Sequence, residues 1–159
     1  MKLKQVFDLY QSIFMDEALT QAEIGYNNDE VPVGSVIVHN NHVISSNYNK
    51  MTVGCNPTAH AEILCIQEAA TILRTTNLCD CDMYVTLEPC AMCAQAIAFS
   101  KIKRLYFGAY NRKFGAIENG VRLFYSTTCN HRPEIYGGIG EQKSMRLMKL
   151  FFTKKRKKI

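Results

Sequence analysis

Two short motifs, His60-Ala61-Glu62 and Pro89-Cys90-Ala91-Met92-Cys93, constrain this chain more than any other feature of its sequence. Each offers metal-binding side chains and neither offers enough alone, so a fold that uses both must bring two distant segments together. On a helix, Cys90 and Cys93 are three apart and share a face, so both sulfurs can reach one ion. A helix start also favours the thiolate form that metal binding demands. One imidazole and two thiolates make three protein ligands, the number that leaves a tetrahedral zinc open to water. The two thiolates cancel the charge of the dication. An open zinc lowers the pKa of its water toward neutrality, and a nearby carboxylate that is not a ligand can take the proton and pass it on. Glu62, two residues beyond His60, is placed for that role.

Taken singly, each part has a plainer explanation. A lone histidine is usually a satisfied polar residue, a glutamate at a helix start answers the helix dipole, and Cys-x-x-Cys is also the spacing of a redox pair or of half a structural zinc site. A structural site needs a fourth ligand, for which Cys55, Cys65, Cys79, Cys81 and Cys129 are the candidates. None of them forms a second Cys-x-x-Cys, and they read better as small buried hydrophobes. The conjunction of H-x-E with P-C-x-x-C, each at a helix start, is the signature of zinc deaminases.

With 159 residues and 47% hydrophobic content, the chain suits one compact domain spanning 1–159. A chain of this size buries about 70% of the surface its unfolded form exposes. No apolar run approaches the roughly 18 residues that a bilayer crossing requires, and Met1-Lys2-Leu3-Lys4 leads into mixed polar sequence without a signal-peptide core. Seven cysteines, an odd number, point to a reducing compartment without structural disulfides. The expectation is a soluble, cytoplasmic protein that does not engage a membrane. Asn56-Pro57-Thr58 is no glycosylation site, because proline occupies the middle position.

No internal repeat, low-complexity block or Pro/Gly-rich linker interrupts the alternation of helices and strands. Leu9, Ile13, Phe14, Ala18, Leu19 and Ala22 recur at three and four and predict an amphipathic first helix. Val33 to Val38 and Val43 to Tyr48 flank Asn40-Asn41, which predicts a hairpin, since asparagine tolerates the positive φ of a tight turn. Pro57-Thr58 opens a helix to about Ile72, with Thr58 as N-cap. Met83 to Leu87 is a short buried strand, and Pro89 opens a helix to about Ser100. Leu105 to Ala109 is a further strand. Glu141 to about Lys155 sets Met145, Met148 and Phe152 against Lys143, Arg146 and Lys149, a basic amphipathic helix that leads into a basic tail ending at 159. Alternating elements of this kind make an α/β layered domain.

The net charge of +5 resides in that tail, where Lys154, Lys155, Arg156, Lys157 and Lys158 follow one another. Such a run is most often a solvated end, and otherwise an arm that attracts phosphate. Phe151 and Phe152 beside it add aromatic groups suited to gripping an RNA loop, although packing into the core is a strong alternative for one of them.

These motifs and much of the remaining sequence resemble the bacterial tRNA-specific adenosine deaminases of the cytidine-deaminase-like fold. The likeness runs through Glu30-Val31-Pro32-Val33-Gly34, Pro57 to Ile63, Tyr84 to Ala94, Phe107-Gly108-Ala109 and Asn130-His131-Arg132, and extends to the two phenylalanines. The resemblance implies a three-layer α/β/α domain around a central mixed sheet. It implies one Zn2+ per subunit on His60, Cys90 and Cys93, and Glu62 as the acid/base. Asn49 matches the asparagine that reads the base, Val31 and Pro32 match part of the pocket wall, and Asn111 matches a position beside the nucleotide backbone. It further implies a homodimer with active sites near the subunit interface, a tRNA anticodon stem-loop as partner, and inosine formation at position 34. Departures are Lys50-Met51 after Asn49 and Tyr110-Asn111, where the family commonly has Arg-Pro and Arg-Asp.

Overall fold

The structure is a computed structural model that describes residues 3–157, so Met1, Lys2, Lys158 and Ile159 lie outside the described residues. Its elements are α1 (Leu3–Asn27), β1 (Gly34–His39), β2 (His42–Tyr48), α2 (Ala61–Leu73), β3 (Cys81–Leu87), α3 (Ala91–Phe99), β4 (Arg104–Ala109), a short 3-10 turn (Leu123–Tyr125), β5 (Glu134–Tyr136) and α4 (Glu141–Arg156). The sheet order is β2-β1-β3-β4-β5. β1 pairs antiparallel with β2 and β3, whereas β3, β4 and β5 run parallel, so the sheet is mixed.

Alternation along the strands assigns the two faces. Val36, Val38, Tyr84 and Tyr106 pack with Phe14, Met15, Ala18 and Leu19 of α1. Their neighbours Ile37, Met83, Val85, Leu105 and Phe107 point the other way, onto Ala61, Cys65 and Ala69 of α2 and Ala94, Ile97 and Ala98 of α3. Helix α4 lies beside α1 and against β4. The result is the α/β/α layering that the sequence predicts. Asn40 and Asn41 take φ of 50° and 60°, the left-handed turn expected between β1 and β2.

Some expectations shift. On α1, Phe14, Ala18, Leu19 and Ala22 are buried, but Leu9 and Ile13 are half exposed. Gln11, Met15, Ala18 and Ala22 set the buried face, and at roughly 100° per residue Leu9 and Ile13 fall on the opposite side of the helix. Thr58 does not cap α2: its N–H and hydroxyl both donate to Asn56 Oδ1, at 3.0 and 2.8 Å, and close a turn instead. Helix α2 begins at Ala61 with His60 as N-cap, and α3 begins at Ala91 with Cys90 as N-cap. Cys65 and Cys81 are buried, but Cys55 and Cys79 are exposed and Cys129 is half-buried. Exposure at Cys55 and Cys79 follows from their loops, which lie off the sheet. Strand β5 is absent from the sequence reading. It is three residues long, too short for periodicity to register, and places Tyr136 in a stack with Tyr106 and Tyr84 at centroid spacings of 4.8 and 4.4 Å.

Gly34 marks the closest approach of α1 to the sheet. A Cβ there would collide with the backbone of Ala18 and Ala22 and with the Gln21 side chain. Gly34→Ala should therefore destabilise the fold by about 3 kcal/mol, the upper end of the usual overpacking cost. Urea unfolding measures this, and an unchanged midpoint would contradict the packing described.

Candidate active site

His60 and Cys90 occupy equivalent places. Each is the last extended residue before a helix, with φ, ψ of −74°, 150° and −74°, 174°, and neither side chain caps its own helix. Both side chains are free to face each other. Cys93 follows one turn into α3. The ligand atoms of His60, Cys90 and Cys93 all lie within 4.8 Å of one another. The two sulfurs stand 3.7 Å (Cys90) and 3.5 Å (Cys93) from His60 Nδ1. Sulfur at about 2.3 Å and nitrogen at about 2.0 Å around a tetrahedral zinc stand roughly 3.6 Å apart. The donor set and its spacing fit zinc.

Neighbouring backbone fixes these positions. Asn49, buried after β2, accepts the Ala61 N–H on its Oδ1 at 2.9 Å, satisfying one of the donors left open at the start of α2. Cys90 forms a bridge with Gly115, and the Ala116 N–H donates to Pro89 O at 2.9 Å, which ties the loop after β4 to the start of α3.

The charges are strongly displaced. The Cys93 thiol beside Cys90 and the His60 ring hold Cys90 down to about 4 against the effect of burial. Cys93 is pushed far up, first by Cys90 and then by burial. The two sulfurs oppose each other's ionisation, and a dication between them would supply the charge that lets both ionise. Hydrogen bonding to Cys90 raises His60, although burial opposes it. Burial pushes Glu62 up to about 7, while its own backbone N–H and the His60 charge pull the other way. Glu62 Oε2 is buried without a hydrogen-bond partner among the described residues. A carboxyl balanced near neutrality can both take and give a proton.

His60, Glu62 and Cys90 line a cavity of about 990 Å3, while Cys93 is buried and does not reach its surface. Val31, Val33, Asn49 and Met51 form one wall, Tyr110 to Phe114 another, and Met145, Met148 and Phe152 of α4 a third. Of the residues singled out in the sequence, Val31, Asn49, Asn111 and Phe152 line the cavity and Pro32 does not. Pro32 is buried behind the wall, and Val33 occupies the lining in its place because alternate residues of an extended segment face the same way. Asn111 uses its Oδ1 to accept the Phe114 N–H at 3.1 Å. Two buried carboxylates carried no sequence signal beyond their place in motifs. Glu30 accepts the N–H groups of Thr52 and Val53 at 3.2 and 2.7 Å, and Glu88 gathers the loop after β4.

Residues 10–156 match the MafB19-like deaminase family. The chain is 54% identical over 142 residues to a tRNA-specific adenosine deaminase of Rickettsia bellii, covering 88% of this chain and 98% of the relative. The chain belongs to the tRNA-specific adenosine deaminase family. A Bacillus subtilis tRNA-specific adenosine deaminase is 36% identical over 146 residues, 92% of this chain and 91% of its own. A solved tRNA:A34 deaminase structure superposes with a TM-score of 0.83 at 46% identity, over 84% of this chain and 97% of that one. A guanine deaminase from Nitrosomonas europaea shares the fold, with a TM-score of 0.73 at 18% identity over 89% of this chain and 84% of that one.

In this member of the tRNA-specific adenosine deaminase family, the adjacent phenylalanines have separate surroundings. Phe151 is 3% exposed, with its ring edge-on to Tyr26, whereas Phe152 is 46% exposed and lines the cavity. Phe151→Ala should cost about 3–5 kcal/mol in urea unfolding. Phe152→Ala should stay within about 1 kcal/mol of the wild type. Equal losses at the two positions would refute this division.

Proposed function

We propose that this chain hydrolyses adenosine to inosine and ammonia at position 34 of a tRNA anticodon loop. One zinc is held by His60 Nδ1, Cys90 and Cys93, and Glu62 shuttles the protons. The observation that carries this reading is the buried, unpartnered Glu62 oxygen beside a donor set spaced for zinc, in a chain whose curated relatives are tRNA-specific adenosine deaminases.

Zinc, when bound, supplies the Lewis acidity that makes water nucleophilic at neutral pH. Glu62 takes a proton from the attacking water and delivers it to ring N1, which leaves C6 electrophilic. It then takes the remaining proton of the added hydroxyl and gives it to the amine, so that the C6 carbonyl forms as the C–N bond breaks and ammonia leaves. Asn49 orients the base through its Nδ2 donors, since its Oδ1 is held by Ala61. Val31 and Val33 pack against the ring. Single-stranded loops suit such a site because their bases swing out at low unstacking cost. Asn111 stands beside the flanking nucleotide, presenting its Nδ2 because Oδ1 serves the turn.

The loop's phosphates meet cations on both sides of the cavity. Arg112 and Lys113 are exposed at its rim, and Phe152 offers a ring for stacking. On the far side of α4, a groove is lined by Tyr26, Arg146, Lys149, Lys154 and Lys157. Lys154 and Lys155 pair with Asp29 at 3.4 and 2.8 Å, which anchors the start of the basic run on the turn after α1. A second copy of the chain covers exposed apolar side chains including Phe99 and Val121, 69% and 70% exposed, to form the homodimer that the family resemblance implies. Its place of action is the cytoplasm, where the tRNA is. No helix among the described residues is long and apolar enough to cross a membrane.

Nucleoside analysis after incubation with an adenosine-34 stem-loop should show inosine, with free guanine and cytidine left unconverted in parallel. Conversion of a free base in place of the stem-loop would overturn the substrate assignment. Glu62→Gln should lower kcat by about 10²–10⁴-fold with little change in stem-loop Kd, the loss typical of a missing acid/base. A Kd that weakens as much as kcat would count against the shuttle role. Replacing Arg146, Lys149 and Lys157 together by alanine should flatten the plot of log affinity against log salt by about two units, at about 0.7 per phosphate contact on a single strand. An unchanged slope would return the groove to an ordinary solvated surface.

A further inference from the structure

Glu88 follows the last residue of β3 and is 1% exposed. No lysine or arginine pairs with it among the described residues; backbone N–H groups surround it instead. Oε1 accepts from Ile117, Glu118 and Asn119 at 3.2, 2.8 and 2.9 Å. Oε2 accepts the Asn111 N–H at 2.9 Å and the Asn119 Nδ2 at 2.7 Å. These donors saturate the roughly four lone-pair positions of a carboxylate. They come from the two ends of one segment, 111–119, so a single side chain closes the loop.

Three further contacts show how tightly the loop is drawn in. A Cβ on Gly115 would stand 2.5 Å from Glu88 Cδ and 2.6 Å from Oε2, so the chain passes too close for any other residue. Within the loop, Gly115 donates its N–H to Asn111 O at 2.8 Å. Gly115 also bridges to Cys90. The segment between the two clasped ends carries Arg112, Lys113 and Phe114, which together with Asn111 line the cavity.

We propose that Glu88 is a positioning residue for substrate recognition: its carboxylate pre-sets loop 111–119 as a rigid wall that holds the nucleotide flanking the target adenosine. It acts on binding, through the loop, and not on the chemical step. The proposal rests on the tRNA reading above for the identity of the substrate, while the clasp itself is a matter of hydrogen bonding. A charged acceptor suits the task because each hydrogen bond to it is roughly twice as strong as one to a neutral group. Setting the wall in advance removes an ordering cost from binding.

The test uses the full zinc-loaded chain with Glu88→Gln, which keeps the volume but turns an amide NH2 toward N–H donors. Backbone exchange of Asn111, Ile117, Glu118 and Asn119 should accelerate by at least roughly tenfold while β3 and β4 stay protected. KM for the adenosine-34 stem-loop should rise roughly tenfold with kcat within about threefold. A merely structural role predicts the reverse split, with active protein and kcat falling together at unchanged KM. Gly115→Ala leaves the carboxylate in place but forces a methyl group against it, and should give the same split. Because both changes break one clasp, the double variant should raise log KM by less than the sum of the two. A fall in kcat at unchanged KM, unchanged exchange at the four amides, or full additivity would overturn the proposal. If the wild type makes no inosine, the tRNA reading fails, and the exchange of those four amides still decides the clasp.

Discussion

The site depends on the meeting of two helix starts. Helices α2 and α3 lie side by side on one face of the sheet, and their first residues converge at the same end. His60 and Cys90 are the extended residues immediately before each helix, so their side chains project from the convergence instead of folding back along it. The positive ends of both helix dipoles lie there too, which favours thiolate on Cys90. Were α2 to begin at Thr58, His60 would lie inside its first turn with a helical backbone. The Asn56 turn, which halts the chain before Ala61, therefore belongs to the construction of the site.

Two buried glutamates show how surroundings separate groups of identical chemistry. Glu62 is desolvated with one oxygen unpaired, and burial lifts it to about 7. At Glu88 burial works in the same direction, but the Asn119 and Asn111 N–H groups, the Asn119 amide and the Glu118 N–H outweigh it and hold the carboxyl below its ordinary range. One carboxylate is left able to exchange a proton and the other is fixed as an anion that organises backbone. Burial and hydrogen bonding thus drive two side chains of identical chemistry in opposite directions.

Much of this was legible in the sequence, for physical reasons. The H-x-E and P-C-x-x-C motifs are local, and their spacing carries the geometry that the helix starts then display. The Asn40-Asn41 turn and the alternation of Val36, Ile37 and Val38 likewise express backbone sterics and burial. What escaped depends on distant partners. Glu88 acquires its role only when the loop after β4 returns to it, and β5 exists only because β4 offers a parallel edge. Pro32 and Val33 exchange places because the wall is defined by which side of an extended segment faces the cavity. The half-exposed Leu9 and Ile13 show the limit of periodicity: apolar residues three and four apart form a stripe, but the face that the sheet covers runs through Gln11, Met15, Ala18 and Ala22 instead.

The proposed centre holds a single ion on one imidazole and two thiolates, with Glu62 close by but not bound to it. X-ray absorption at the zinc edge tests this directly, with the wild type and Glu62→Ala compared. The expected result is one zinc per chain, two sulfurs at about 2.3 Å and the remaining ligands nitrogen or oxygen at about 2.0 Å, with the two-sulfur shell and the metal content the same in both proteins. A shell of three or four sulfurs, or loss of zinc from Glu62→Ala, would contradict it.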